Sequence, residues 1–138
     1  MRTALRTKFT RFLAVPAVAA AGVALVTAPA HAAGSITIRA DSAAVADAGR
    51  TLNVSVTYRC NPEFSPANIT VGATQSAVGG QGKVLGVPCT GGERTVTVPV
   101  TATTAGAAWT TGDRVDLALY IVDREINRAR NSAWLSVS

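Results

Sequence analysis

The stretch TLNVSVTYRC, residues 51–60, alternates between polar and apolar side chains along its whole length. The apolar positions are Leu52, Val54, Val56, Tyr58 and Cys60. Successive side chains of a β-strand point to opposite faces, so this period of two predicts an antiparallel strand with one face buried. Tyr58 shares the apolar face and is therefore predicted to lie in the core.

The same period of two recurs in segments 95–101 and 114–123. Weaker strand patterns cover 35–40, 68–76, 83–89 and 132–137. Pro99 has the polar parity of its segment, which indicates an edge strand or a bulge. The glycine run 79–82 is interpreted as a turn and the alanine-rich segment 41–49 as a loop. Seven short strands without helical periodicity predict an all-β fold, an immunoglobulin-like β-sandwich of about seven antiparallel strands.

The first 32 residues have the organisation of a secretory signal peptide. Residues 1–11 carry four basic side chains and no acidic one, residues 12–26 are uncharged and apolar, and a small-x-small cleavage site ends at Ala32. The apolar stretch is shorter than the roughly 20 residues of a membrane-spanning helix. We therefore expect a signal peptide at 1–32, a β-sandwich domain at 33–138, and a secreted, extracellular product without membrane contact after cleavage.

The charge of the chain is concentrated in this leader. The 138 residues include 13 basic and 8 acidic side chains, a formal net charge of +5. Without the four basic residues of the leader, the formal charge falls to +1. The basic character therefore gives no reason to expect a nucleic-acid partner. The remaining chain is long enough for one modest core, and we expect a single-domain monomer.

Cys60 and Cys89 are the two cysteines of the sequence. In an exported protein a lone pair of cysteines is typical of a structural disulfide. Closing a loop of this length stabilises a domain by about 3–4 kcal/mol in the chain-entropy account. A zinc or redox role is disfavoured, because neither spacing nor neighbours fit and the mature chain has no histidine.

Cleavage of the leader also removes His31, the single histidine. Histidine is the commonest general base, so Ser–His–Asp and Cys–His catalysis are excluded for the mature chain. Asp113 and Asp116 would lie on opposite faces of a strand, and Asp123 and Glu125 flank a turn. These carboxylates are interpreted as surface charges. We expect a protein that is not an enzyme, with no cofactor and no metal.

Segment 123–131 is the most highly charged window of the mature chain. Its arginines are Arg124, Arg128 and Arg130. An arginine-rich hairpin tip suits an anionic glycan, a carboxylate or an acidic protein surface, although internal arginine–carboxylate pairs are the simpler interpretation. Tyr120 lies on the second face of its strand, and Trp134 either faces outward or packs on a covered edge. If these two strands pair as a hairpin, both rings and the arginines form a candidate binding surface.

Segment 61–67 follows Cys60, is stiffened by Pro62 and Pro66, and has Phe64 at its tip. Two functions therefore stay open. The leading expectation is a non-catalytic binding or cell-envelope-associated module whose partner is an unknown extracellular protein or glycan. The alternative is a proteinaceous inhibitor of a secreted hydrolase, which would insert this rigid loop into the enzyme.

The motifs SITIRA, TLNVSVTYRC, VPCTGG, ERTVTVPV and GDRVDLALYI cover most of the mature chain. With the leader before them, they resemble small secreted actinobacterial proteins of unknown function. That group is similar to immunoglobulin-like sandwiches with a single disulfide, so the resemblance implies this fold and no catalytic residue. The chain also resembles, more faintly, the secreted apoproteins that carry enediyne antibiotics, but those have two disulfides.

Overall fold

The structure is a computed structural model that describes residues 35–138, and the predicted signal peptide at 1–32 lies outside the described residues. The strands are β1 (Thr37–Ala46), β2 (Thr51–Arg59), β3 (Ala67–Gln75), β4 (Val78–Val87), β5 (Arg94–Ala102), β6 (Arg114–Val122) and β7 (Arg128–Ser136). Short 3₁₀ turns follow β1 and β2. Across 35–138 no helix has the length and apolar character needed to cross a bilayer. Each of the seven predicted strand segments overlaps one observed strand.

The strands form one sheet in the order β1-β2-β5-β4-β3-β6-β7, and all paired neighbours are antiparallel. The sheet curls until its edges meet, where Ala43 of β1 and Val137 after β7 form a parallel bridge. The N–H of Ser138 donates to the carbonyl oxygen of Ala43 at 3.0 Å. The result is a nearly closed, barrel-like sheet. The predicted all-β fold of seven antiparallel strands is confirmed.

The alternating pattern of β2 places its apolar face in the barrel interior. Leu52, Val54 and Val56 are fully buried, and Tyr58 is buried as predicted. The other strands contribute further fully buried side chains, the largest being Ile69, Val71, Val98, Val100, Val115, Leu119 and Ile121. Most of these residues are β-branched, and such side chains pack well on a pleated, buried surface.

Cys60 and Cys89 form the predicted disulfide, with their Cα atoms 5.0 Å apart. Both are buried. The bridge ties the end of β2 to the segment between β4 and β5, and the N–H of Gly91 donates to the carbonyl oxygen of Cys60 at 3.1 Å. We call this end of the barrel, formed by segments 60–66, 88–93 and 123–127, the disulfide end.

The glycine run 79–82 lies inside β4, so its interpretation as a turn is wrong. A β-carbon at Gly80 would collide with the carbonyl oxygen of Thr101, and one at Gly82 would collide with that of Pro99. Glycine stands at both positions because any side chain would collide with the backbone of β5. β4 pairs with β5 at only two positions. β5 therefore lies between β2 and β4 but makes few ladder hydrogen bonds on its β4 side, where a proline is tolerated.

β1 continues to Ala46, so the interpretation of 41–49 as a loop is wrong for its first part. A β-bulge between Ala40 and Ser42 shifts the register of β1 against β2. The bulge interrupts the period of two on which the prediction relied. Beyond it Ala43 is buried in the core, and β1 stays paired with β2 to its end.

Candidate functional site

The outward side chains of β4, β3, β6 and β7 form one continuous surface, which we call the four-strand face. Directly paired residues share a face, so the register arranges these side chains in rows that cross all four strands. The rows are the Tyr120 row (Lys83, Thr70, Tyr120, Arg130), the floor row (Gln81, Gly72, Ala118, Ser132) and the Trp134 row (Gly79, Thr74, Asp116, Trp134). Adjacent rows lie two residues, or about 7 Å, apart along the strands.

A depression lies over the floor row, where Gly72, Ala118 and Ser132 have small side chains. Its volume is about 650 Å³, and Tyr120 and Arg130 line one side of it. A second depression of about 490 Å³ continues toward the Trp134 row and shares Gly72 and Ala118 with the first. Volumes of about 300–1,000 Å³ are typical of small-molecule sites. The four-strand face therefore has room for a ligand.

Tyr120 and Arg130 are directly paired across β6 and β7. The guanidinium carbon of Arg130 lies 5.3 Å from the centre of the Tyr120 ring, within the range of cation–π attraction. Among residues 35–138, no ion pair includes Arg130. The structure thus brings together two residues of the predicted binding surface at the wall of the depression, with the arginine charge unpaired in this range.

Trp134 faces outward, and 59% of its surface is exposed. The guanidinium carbon of Arg114 lies 4.9 Å from the ring centre of Trp134, and Nη2 of Arg114 donates to Oδ1 of Asp116 at 2.8 Å. Tyr120 is on the same face but two rows away, roughly 13 Å along the strands. The two predicted aromatic residues therefore lie on opposite sides of the floor row.

The hairpin tip between β6 and β7 carries Arg124, and Arg128 begins β7; both are exposed. Asp123 is buried, so its interpretation as a surface charge is wrong. Its Oδ1 accepts hydrogen bonds from the N–H groups of Glu125 at 2.9 Å and Asn127 at 3.0 Å. This carboxylate satisfies backbone donors within a tight turn. Within 35–138 the tip arginines form no ion pair with these acids.

The predicted inhibitory loop lies at the disulfide end. Pro62 and Pro66 are exposed, whereas Phe64 is half-buried. The N–H of Cys89 donates to Oγ of Ser65 at 3.1 Å, which fastens the loop beside the disulfide. The apolar tip that the sequence indicated is therefore only partly presented to solvent.

Sequence reasoning missed the floor row. The sequence does show small residues at outward positions of three different strands, namely Gly72, Ala118 and Ser132. Their adjacency depends on strand pairing, which the sequence pattern does not give. In the range 35–138, no group of three or more His, Cys, Asp or Glu side chains is arranged to hold a metal ion.

The fold and the four-strand face define a small all-β protein with one disulfide and a ligand-sized depression on its outer surface. Comparison of the chain with the models of known protein families found no match, and comparison with curated proteins found none either. Neither comparison identifies a family, and function has to be inferred from the geometry of the face.

Proposed function

We propose that this protein is a secreted, non-catalytic binding protein whose ligand lies on the four-strand face. The observation that carries the proposal is the floor row, in which Gly72, Ala118 and Ser132 separate two rows of larger side chains. Glycine and alanine are poor strand formers, so the fold alone does not favour them at outward positions. Their small size opens the depression of about 650 Å³.

The groups around the depression suit recognition. Thr70 and Ser132 supply hydroxyls, Gln81 supplies an amide, and Arg130 supplies a guanidinium held over the ring of Tyr120. A few polar groups at fixed positions around a partly apolar floor are typical of ligand sites. General acid–base catalysis relies chiefly on histidine, carboxylate and lysine side chains, so these lining groups favour binding over proton transfer.

Two features support export. Residues 1–32 have the sequence organisation of a signal peptide. The disulfide between Cys60 and Cys89 is a bond that forms and persists in oxidising compartments outside the cytosol. On this basis we propose that the domain that begins at residue 33 is extracellular.

We further propose that the barrel is an immunoglobulin-like sandwich whose two sheets join at their corners. The pairing of β2 with β5 and of β3 with β6 supports this arrangement. The sparse pairing between β4 and β5 suits one corner of a sandwich, and the parallel bridge between Ala43 and Val137 suits the other.

A ligand screen with a floor-filling variant tests the proposed function. A β-carbon at Gly72 would have Ala118 Cβ as its nearest neighbour, 3.8 Å away, and valine favours strands, so Gly72→Val is expected to fold. Fragment and oligosaccharide libraries are screened by protein-observed NMR. Compounds that shift the signals of Ala118 and Ser132 should lose binding in Gly72→Val. Thr97→Val adds an apolar group on the outward face of β5 and should leave binding unchanged.

Two results would refute this function. The first is a screen in which no compound shifts any signal of the four-strand face. The second is a set of bound compounds whose affinity for the Gly72→Val variant equals that for the unmodified protein, because the site would then lie elsewhere.

The loop at 61–67 supports a second candidate function, inhibition of a secreted hydrolase. Besides the hydrogen bond from Cys89, the N–H of Arg124 donates to the carbonyl oxygen of Phe64 at 3.0 Å. A loop held in one conformation loses little entropy when it binds an enzyme. Inhibition assays against a panel of secreted proteases and amylases test this function, with Phe64→Ala as the weakened variant. Inactivity against the whole panel would count against it.

A further inference from the structure

We propose that the ligand of the four-strand face is an acidic oligosaccharide, with a uronate carboxylate bound by Arg130 and a sugar ring packed on Trp134. This inference rests on the proposed function, because it names the ligand class of the same face. Three features carry it: a guanidinium that has no acidic partner among residues 35–138, an exposed indole ring, and a floor of small side chains between them.

Arg130 is positioned to bind an anion. Its contact with the ring of Tyr120 orients the guanidinium while leaving its N–H donors at the edge of the plane. In the described range it forms no ion pair. Lys83 lies in the same row, and Arg128 is the next outward position of β7, so the surrounding charge is positive. A planar fork of donors fits a carboxylate through two parallel hydrogen bonds.

Trp134 supplies an apolar platform. The guanidinium of Arg114 lies over part of its ring and donates a hydrogen bond to Asp116. More than half of the Trp134 surface nevertheless stays open to a ligand. The same bond compensates the charge of Asp116, which lowers its repulsion toward an anionic ligand. Indole combines a flat apolar face with an N–H donor, and the C–H groups of a pyranose ring pack against such a face.

The spacing of these two groups selects an oligosaccharide. Arg130 and Trp134 are four residues apart on β7, roughly 13 Å along the strand, with Ser132 between them. Ala118 and Gly72 complete this part of the floor, so no large side chain interrupts the path. A single sugar is too short to contact both groups, whereas a linear chain of sugars lying along β7 contacts both.

Titration calorimetry with defined acidic oligosaccharides tests the inference. The probes are hexasaccharides of galacturonate, of mannuronate, and of alternating glucuronate and N-acetylglucosamine, each compared with its uncharged methyl ester. We expect at least one acid to bind. Its ester should bind roughly ten- to one-hundred-fold more weakly, the loss expected when charge-assisted hydrogen bonds are removed.

Variants assign the effect to the two side chains. Arg130→Gln should raise the Kd of the acid by about the same factor as esterification, because both changes remove the interaction between the guanidinium and the carboxylate. The ester already lacks this interaction, so its Kd should not change. Trp134→Ala should weaken acid and ester alike. Arg50→Gln changes an exposed arginine outside the four-strand face and should alter neither Kd. Thermal unfolding verifies that each variant is folded.

The outcomes separate this inference from the proposed function. An ester that binds as tightly as its acid, or an unchanged Kd of the acid for Arg130→Gln, would overturn the acidic ligand while the face stays a binding site. Failure of all three acids to bind with a Kd below about 1 mM would also overturn it. The floor-filling variant Gly72→Val then decides independently whether the face binds other ligands.

Discussion

The side chain of Gln75 exchanges two hydrogen bonds with the backbone of Thr110. Its Nε2 donates to the carbonyl oxygen at 2.9 Å, and the N–H of Thr110 donates to Oε1 at 2.7 Å. Gln75 ends β3 and is buried although it is polar. A primary amide offers a donor and an acceptor together, so the side chain makes the two hydrogen bonds that a residue of a neighbouring strand would otherwise make with Thr110. It thereby fastens the segment that carries the buried Trp109 to the barrel.

Replacing this glutamine should destabilise the protein. Gln75→Leu leaves the N–H and carbonyl groups of Thr110 without these partners, and we expect the free energy of unfolding to fall by about 2–3 kcal/mol. Urea denaturation measures the change. Gln81→Leu alters an exposed glutamine and should change the free energy by less than about 0.5 kcal/mol. If both variants lose the same small amount of unfolding free energy, the hydrogen bonds between Gln75 and Thr110 have no measurable role in stability.

Removing the disulfide should cost a large part of the net stability. The bridge joins residues 29 apart in sequence, and chain entropy predicts a loss of about 3–4 kcal/mol for Cys60→Ala/Cys89→Ala. Urea denaturation with and without dithiothreitol measures it. The reductant should destabilise the unmodified protein by a similar amount and leave the double variant unchanged. A double variant that still responds to the reductant would show that the effect does not come from this bond.

Tyr58 should make the protein sensitive to alkaline pH. Burial raises the pKa of its phenol, and the nearby Arg94 partly opposes this. The protonated hydroxyl donates to the carbonyl oxygen of Pro88 at 2.8 Å. Because the folded-state pKa exceeds the unfolded value of about 10, this stabilisation is complete below that pH and is lost as pH rises through the raised pKa.

The matched variant is Tyr58→Phe. It lacks the hydroxyl, so its free energy of unfolding should be about 1 kcal/mol lower at neutral pH and should fall less steeply above pH 10 or so. Urea denaturation at a series of pH values measures both slopes. Equal alkaline losses in the two proteins would mean that another group titrates.

The predictable part of the fold is the part where burial on one face imposes a period of two. β2 shows this from Leu52 to Tyr58. β4 was not predictable in full, because a glycine that lets a neighbouring backbone approach looks in sequence like a turn residue. Gly82 is explained by the nearby carbonyl group of Pro99, and this contact joins segments that are distant in the sequence.

The sequence predicts those residues of the candidate site that can be recognised within one strand. Tyr120 and Trp134 stood out because large aromatic side chains occupied positions outside the apolar parity. The floor was not predictable, because small residues carry no mark of a ligand site. Gly72 and Ala118 become neighbours through the pairing of β3 with β6, which is a long-range contact. The burial of Asp123 depends on the local turn geometry, which the spacing of the charges does not indicate.

The two tryptophans should differ in fluorescence. Trp109 is 3% exposed, whereas Trp134 lies largely in solvent. Iodide should therefore quench one emitting population and leave a second, shielded one. Trp134→Phe should remove the accessible population, and Trp109→Phe should remove the shielded one. Circular dichroism verifies the fold of each variant. Uniform quenching of both rings in the unmodified protein would show that the segment over Trp109 opens in solution.

A glycine in place of Ile126, at the tip of the β6–β7 hairpin, should stabilise the protein. Ile126 has a φ of 66° and is 64% exposed, so its backbone is strained and its side chain is not buried. The left-handed conformation costs an L-residue about 1–2 kcal/mol, and β-branched residues are rare there. Glycine avoids this cost but loses about 0.5–1 kcal/mol in backbone entropy on folding. We therefore expect Ile126→Gly to raise the free energy of unfolding by up to about 1 kcal/mol.

The neighbouring variant Glu125→Gly is the matched control for this gain. Glu125 does not have a positive φ, so glycine there brings only the entropic loss and should lower the free energy of unfolding by about 0.5–1 kcal/mol. Urea denaturation should show that the free energy of unfolding rises in Ile126→Gly and falls in Glu125→Gly. If Ile126→Gly is instead the less stable of the two, the isoleucine side chain makes contacts in solution that outweigh its backbone strain.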